Sequence, residues 1–289
     1  MIHRHVWHND RLVPVEQMRL SPGQAGLLNG WGLFTTLRVF DGIPFAFERH
    51  WRRLQKDAAR THLPFPFEAD TVRGQLAQVL SANGVKEGTA RIYVVHNQTG
   101  FWVSDEKFPP VDLILYSAGL PAYREPVRLA MRADGRHAAS PLAGVKTTAW
   151  LINVWNLYEA QQRGFDEVVL LDEHGHVSEC TAANIFAAKG WGVYTPPLTT
   201  GCLEGVTRGI LMEISTRAGV PVEEKLMTPD DLYAADEVFI SSTNRSLLAV
   251  GEIEGRKICQ APGQVMQRLE KAFEEFVHAY LASHVAAAK

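Results

Sequence analysis

Lys146 lies in Leu142-Ala143-Gly144-Val145-Lys146-Thr147-Thr148, between a glycine turn and a helical pattern. Further along comes Ser178-Glu179-Cys180-Thr181-Ala182-Ala183-Asn184, and after it Leu203-Glu204-Gly205-Val206-Thr207-Arg208. A lysine amine condenses with an aldehyde to an imine, and an apolar flank such as Val145 and Trp150 makes the amine easier to deprotonate. A carboxylate such as Glu179 favours the protonated form of a ring nitrogen beside it. A Gly-Val-Thr helix start offers unpaired N–H groups and the positive end of a helix dipole to a phosphate. Glu204 would repel that phosphate, so its side chain has to point away. Arg53, in the basic run Arg49, Arg52 and Arg53, and the hydroxyls of Ser241-Ser242-Thr243 could complete a phosphate site. An aldehyde, a ring nitrogen and a phosphate together describe pyridoxal 5′-phosphate. Each residue also has a plainer reading: a surface lysine, a turn carboxylate, an ordinary helix start and a solvated basic face.

The hydropathy pattern supplies elements to carry these groups. Residues 6–13 read as a hairpin turning at Asn9-Asp10, and residues 37–45 repeat the pattern. Residues 48–61 and 71–82 read as helices, and residues 90–96 and 111–116 as strands. Residues 119–126, with two prolines and a glycine, read as a linker. Beyond it strands are expected at 127–131, 167–171, 184–188, 192–195 and 237–241, and helices at 149–163, 205–218 and 263–283. The fold class is α+β: a small N-terminal α/β domain over 1–119, a linker over 120–126 and a larger domain over 127–289.

Composition limits the alternatives. The 289 residues are 46% hydrophobic and 21% charged, enough for two globular cores. A net charge of −3 points to neither nucleic acid nor an anionic membrane. Cys180, Cys202 and Cys259 have no disulfide or metal spacing and read as reduced thiols of a cytoplasmic protein. No signal peptide or membrane-length apolar run is seen. His3, His5 and His8 lack a completing carboxylate or cysteine, so no metal site is expected. Walker, Gly-x-Ser-x-Gly and dinucleotide motifs are missing.

Taken in order, these segments resemble the class IV pyridoxal-phosphate enzymes, which include branched-chain and D-amino-acid aminotransferases and aminodeoxychorismate lyases. The resemblance runs from Gly30-Trp31-Gly32-Leu33-Phe34-Thr35-Thr36 through His50-Trp51-Arg52-Arg53-Leu54, the Lys146 and Glu179 segments and Leu203 to Arg208, ending in Asp236 to Thr243. It implies a pseudo-barrel in the larger domain, a homodimer and a small-molecule substrate. It also implies roles: Lys146 the Schiff-base lysine, Glu179 the partner of the pyridine nitrogen, and Leu203 the residue packed on the ring. Arg53, Val206, Thr207 and Thr243 would hold the phosphate. Thr35, Thr36 and Tyr93 are candidate substrate residues.

Phe34-Thr35-Thr36 and Glu179-Cys180-Thr181-Ala182-Ala183-Asn184 resemble the lyase. The leading expectation is therefore elimination of pyruvate from 4-amino-4-deoxychorismate to give 4-aminobenzoate. The alternative is an amino-acid aminotransferase, branched-chain or D-specific. A catalytically silent binding protein on the same fold is a third reading, against which the intact Lys146 and Glu179 argue.

Overall fold

The computed structural model describes residues 1–21, 23–97 and 109–287, without the side chains of 285–287. Contacts divide the chain into two compact units. The first contains Met1–Pro121, Val145–Trp150 and Tyr280–Lys289, and the second Ala122–Gly144 and Leu151–Ala279. A single cut near residue 120 thus assigns the Lys146 segment differently, because residues 145–150 are held by strand contacts of the first unit.

In the first unit the elements are β1 (His5–His8), β2 (Arg11–Pro14), α1 (Ala25–Asn29), β3 (Gly32–Phe40), β4 (Ile43–Pro44), α2 (Phe47–Arg60), α3 (Ala69–Ala82), β5 (Gly88–His96) and β6 (Val111–Ala118). The strands form one sheet in the order β2-β1-β6-β5-β3-β4. Leu33, Leu37 and Val39 of β3 join Phe47, Trp51, Leu54 and Ala58 of α2 in one core, with Val72, Leu76 and Val79 of α3. Those α2 residues are three or four apart, as one helical face requires. His50, Arg53 and Asp57 repeat the same spacing beside them, and they too are buried. A polar stripe therefore runs along the buried side of α2.

The second unit begins with β7 (Val127–Arg132), α4 (Leu151–Gln162), β8 (Glu167–Leu171), β9 (Val177–Cys180), β10 (Asn184–Lys189) and β11 (Gly192–Thr195). It continues with α5 (Val206–Ser215), β12 (Val222–Glu224), α6 (Pro229–Tyr233), β13 (Glu237–Ser242), β14 (Ser246–Ile253), β15 (Arg256–Lys257) and α7 (Gln264–Ala287), whose residues from Tyr280 onward count with the first unit. The sheet order is β12-β11-β10-β13-β14-β7-β8-β9, with β15 on β14. The end strand β9 turns directly into β10 through Cys180 N–H donating to Ala183 O at 2.8 Å. The sheet path thus returns on its third strand, as in a pseudo-barrel. Its core takes Val169 and Leu171 from β8, while Val168 and Leu170 face Ala160 of α4. Burial on both faces explains the unbroken apolar run of β8.

Expected and observed elements differ in specific places. The helix expected from residue 149 begins at Leu151. Lys146 is therefore not at a helix entry. Its carbonyl accepts Phe34 N–H at 3.1 Å, and Thr148 N–H reaches Gly32 O at 2.9 Å. Strands β9 and β14 do not follow from the pattern. β9 carries Ser178 and Glu179 at buried positions, and β14 is broken by a register shift between Val250 and Glu252. Among the described residues, no helix is long and apolar enough to cross a membrane.

The start of α7 depends on a carboxylate from β13. Glu237, buried, accepts Val265 N–H and Met266 N–H, both at 2.9 Å. Gly263 makes room for it, since a Cβ there would lie 1.9 Å from the Glu237 carboxyl carbon. Glu237→Ala strands two helix-opening donors. It should lower the unfolding free energy by about 1.5–3 kcal/mol, the scale of hydrogen bonds to a charged group. Urea unfolding followed by circular dichroism checks this, and an unchanged midpoint would remove the carboxylate from the account of α7.

Candidate active site

In the first unit, Lys146 lies on a short extended segment against β3, which an isolated bridge pairs at Leu33 and Thr147. Its backbone N–H donates to Asp57 Oδ2 at 3.3 Å. Burial raises the Asp57 carboxyl above its usual range, while the Lys146 N–H and the Arg53 charge pull it down. The Lys146 amine lies 4.6 Å from the centroid of the Phe34 ring and 5.8 Å from that of Trp150. The apolar flank expected from Val145 and Trp150 is thus supplied by Phe34 and Trp150. Val145 packs against the core instead.

Arg53 stands on the polar stripe of α2, 8% exposed. Its Nη2 donates to Thr35 Oγ1 at 2.9 Å, and the same oxygen lies 2.8 Å from His50 Nδ1. Burial, with Arg53 and Lys146 adding positive charge, holds the His50 imidazole well below the usual histidine range. A neutral imidazole accepting the Thr35 proton at Nδ1 satisfies all three groups.

Thr35 and Thr36 do not form a hydroxyl pair at one ligand. Adjacent strand residues point to opposite faces. Thr35 lies with Leu33 and Leu37 on the α2 side, 0% exposed, and its hydroxyl is engaged by Arg53 and His50. Thr36 shares the other face with Phe34. Tyr93 is there too, paired with Phe34 in register and stacked on it at 5.1 Å.

In the second unit, Glu179 lies on β9 rather than in a turn and is 6% exposed. Arg136 Nε donates to Oε1 at 2.9 Å, and Leu203 N–H to Oε2 at 3.1 Å. Arg136 Nη1 also donates to Asn153 Oδ1 at 3.1 Å, and Asn153 Nδ2 to Thr181 O at 2.6 Å. The carboxylate is therefore held at both oxygens by buried or half-buried donors.

From Leu203 the chain enters α5 with Val206 and Thr207, both buried. Asn184 Nδ2 donates to Leu203 O at 2.9 Å, and a Cβ on Gly205 would lie 2.0 Å from Asn184 Oδ1. Only glycine allows that approach. No side chain caps α5, so its opening N–H groups are available to an anion. Ser241, paired with Asn184 in register, is buried with an Oγ that lacks a partner among the described residues. Glu204 is exposed. Thr243 lies in the turn between β13 and β14. The second unit thus offers an uncapped helix start and an orphan hydroxyl that can donate, and a braced carboxylate that can accept.

Sequence reasoning missed Asp57, His50 and Arg136. Asp57 stands four residues after Arg53 and His50 three before it, so helical spacing could have found both. Arg136 gives no local signal, because a loop brings it to β9. Among the described residues, no group of three His, Cys, Asp or Glu side chains could hold a metal ion.

The family model "Amino-transferase class IV" matches residues 32–253. D-alanine aminotransferase of Bacillus licheniformis is 28% identical over 94% of this chain and 96% of its own. The branched-chain-amino-acid aminotransferase of Salmonella typhimurium is 26% identical over 93% of this chain and 91% of its own. Among solved structures, a T.th. branched-chain amino acid aminotransferase with pyridoxamine 5′-phosphate superposes with a TM-score of 0.87 at 25% identity, over 96% of this chain and 95% of that one. The chain belongs to the class IV aminotransferases, a family of enzymes that use pyridoxal 5′-phosphate.

Proposed function

We propose that Lys146 Nζ carries the cofactor aldehyde carbon and that Glu179 faces the ring nitrogen, with Leu203 against the ring. Arg53, the Val206 and Thr207 N–H groups and the Thr207 and Thr243 hydroxyls take the phosphate. When bound, the cofactor supplies an electron sink for a carbanion next to the substrate amine. Asp57 fixes the Lys146 backbone, and the Phe34 and Trp150 rings limit the water around its amine. Once the substrate amine had taken its place at the aldehyde carbon, the freed Lys146 amine would accept the substrate proton. Arg136 orients the Glu179 carboxylate. Thr35 and His50 hold the Arg53 guanidinium in place.

For the reaction, we propose elimination: 4-amino-4-deoxychorismate loses a proton from the amine-bearing carbon and its enolpyruvyl group, giving 4-aminobenzoate and pyruvate. The observation that carries this reading is Thr36. It presents a neutral hydroxyl on the Phe34 face, beside the ring on which the Lys146 amine lies. A hydroxyl there can bond an enolpyruvyl oxygen without repelling the substrate carboxylates. Aromatisation supplies much of the driving force, so little is needed beyond the electron sink and the lysine amine. The second reading is transamination, favoured by the aminotransferase names of the relatives above.

Three outcomes are expected. Borohydride treatment of the holoprotein should fix the cofactor on the peptide containing Lys146, read by mass spectrometry, and Lys146→Ala should lose that adduct. Glu179→Gln keeps shape but removes charge, so turnover should fall on the order of 100-fold, about two factors of 1.36 kcal/mol in the barrier. Cofactor affinity should change much less, and equal turnover would give the ring nitrogen another partner. Aminodeoxychorismate incubated without an amino acceptor should yield pyruvate and 4-aminobenzoate in equal amounts. Neither product, together with release of a 2-oxo acid from an amino acid, would replace the lyase reading with the aminotransferase.

A further inference from the structure

In the second unit, the turn that carries Thr243 is held from outside by a buried ion pair. This turn joins β13 to β14, with Ser242 and Ser246 facing across it. Its own bonding is thin. Arg245 N–H meets Ser242 O at 3.2 Å, and Asn244 Oδ1 is buried without a hydrogen-bond partner among the described residues. Ser246 has a φ of 51°, a left-handed conformation that a serine keeps only where its surroundings impose it. The Arg245 side chain, 9% exposed, reaches from this turn to the start of β8 and the turn after β9. Its Nη1 donates to Ala182 O at 3.0 Å, and its Nη2 lies 2.9 Å from Oε2 of Glu167, whose side chain is 1% exposed. Among the described residues no aligned N–H reaches that oxygen, so charge alone makes the pair. The other Glu167 oxygen accepts Val168 N–H at 3.0 Å and the Thr181 hydroxyl. The Tyr123 ring covers the guanidinium, its centroid 4.7 Å from Cζ.

The pair ties together two turns at one end of the sheet, where Asn184 at the start of β10 meets Ser241 near the end of β13. Ala182 lies on the turn that follows Glu179, and Arg245 stands two residues after Thr243. Thr181 extends the tie, because its carbonyl accepts Asn153 Nδ2, and Asn153 in turn holds the Arg136 that braces Glu179. A buried ion pair seldom adds net stability, since desolvation of two charges offsets their attraction. It does select one arrangement, because neither charge is satisfied anywhere else at that depth. We propose that Arg245, paired with Glu167, is a positioning residue for the cofactor phosphate. It fixes the Thr243 turn against the turn after Glu179 and so keeps the Thr243 hydroxyl where a phosphate can use it. A guanidinium can serve a carboxylate and a carbonyl from separate nitrogens at once, which a lysine ammonium does less well. This inference rests on the assignment of Thr243 to the phosphate, and it holds for the lyase and the aminotransferase alike.

The test compares pyridoxal 5′-phosphate with pyridoxal, which lacks the phosphate. Each is titrated by absorbance into the full-length protein after its cofactor has been dialysed away. The preference for the phosphorylated form, as a ratio of dissociation constants, reports the phosphate contacts. A variant that only unfolds more easily weakens both ligands and leaves the ratio alone. Glu167→Gln combined with Arg245→Met removes both charges together, so neither stays buried and unpaired. This paired variant should fold with a thermal midpoint near that of the wild type. It should lower the preference roughly tenfold, the scale of one hydrogen bond to a charged group. Thr243→Val should lower it by a similar factor, and adding the paired change to Thr243→Val should cost less than about twofold more, because both act on one contact. Should the paired variant not fold, Arg245→Lys is read in its place and should also lower the preference. An unchanged preference in the variant read, or a full further loss on top of Thr243→Val, overturns the inference. If Thr243→Val itself leaves the preference unchanged, the assignment of Thr243 fails and the inference with it, and that variant alone tells the two failures apart.

Discussion

One hydrogen bond joins the Lys146 segment to the helix that orders its surroundings: Lys146 N–H to the buried carboxylate of Asp57. An unpaired N–H or carboxylate at this depth would cost more than the bond itself contributes, so the contact fixes the segment strictly. Asp57, Arg53 and His50 are successive members of one stripe on α2. The stripe exists because the apolar stripe beside it, from Phe47 to Ala58, buries that side of the helix against β3. Packing of an amphipathic helix thereby sets the backbone of Lys146 and the direction of Arg53 together. Thr35 closes the arrangement from the strand side, with one oxygen serving both Arg53 and His50.

Glu179 is treated the same way in the second unit, with different parts. Its strand is short and polar, and on propensity alone it would not be a strand. It is one because β8 pairs with it and because Arg136 and Leu203 N–H satisfy the carboxylate. Leu203 also bonds Asn184, whose side chain crowds Gly205. The braced carboxylate and the uncapped start of α5 are therefore linked through three residues of backbone. Substituting Gly205 would disturb both.

This explains what the sequence revealed and what it withheld. Helices α2 and α3, strands β5, β8 and β10 and the start of α5 carry clear periodicity, apolar runs or glycine signals, and they were legible. Lys146 and Glu179 stood out by residue type and order. Their local structure did not: Lys146 lies on an extended stretch and Glu179 on a strand, each held by partners distant in sequence. Arg136 was invisible for the same reason, since its partner Glu179 comes 43 positions later. His50 and Asp57 were within reach, because their spacing from Arg53 repeats that of the core residues. The missed β14 contains Gly251 at a register shift, where a pattern search loses the period.

The two threonines give the sharpest lesson about function. Phe34-Thr35-Thr36 resembles the lyase segment, and as a pair of letters it suggests two hydroxyls at a substrate. A strand permits only one of them on each face. Thr35 belongs to the support of Arg53, so its identity bears on how the arginine is held and not on which molecule reacts. The Lys146 amine lies instead on the face of Phe34, which Thr36 and Tyr93 share.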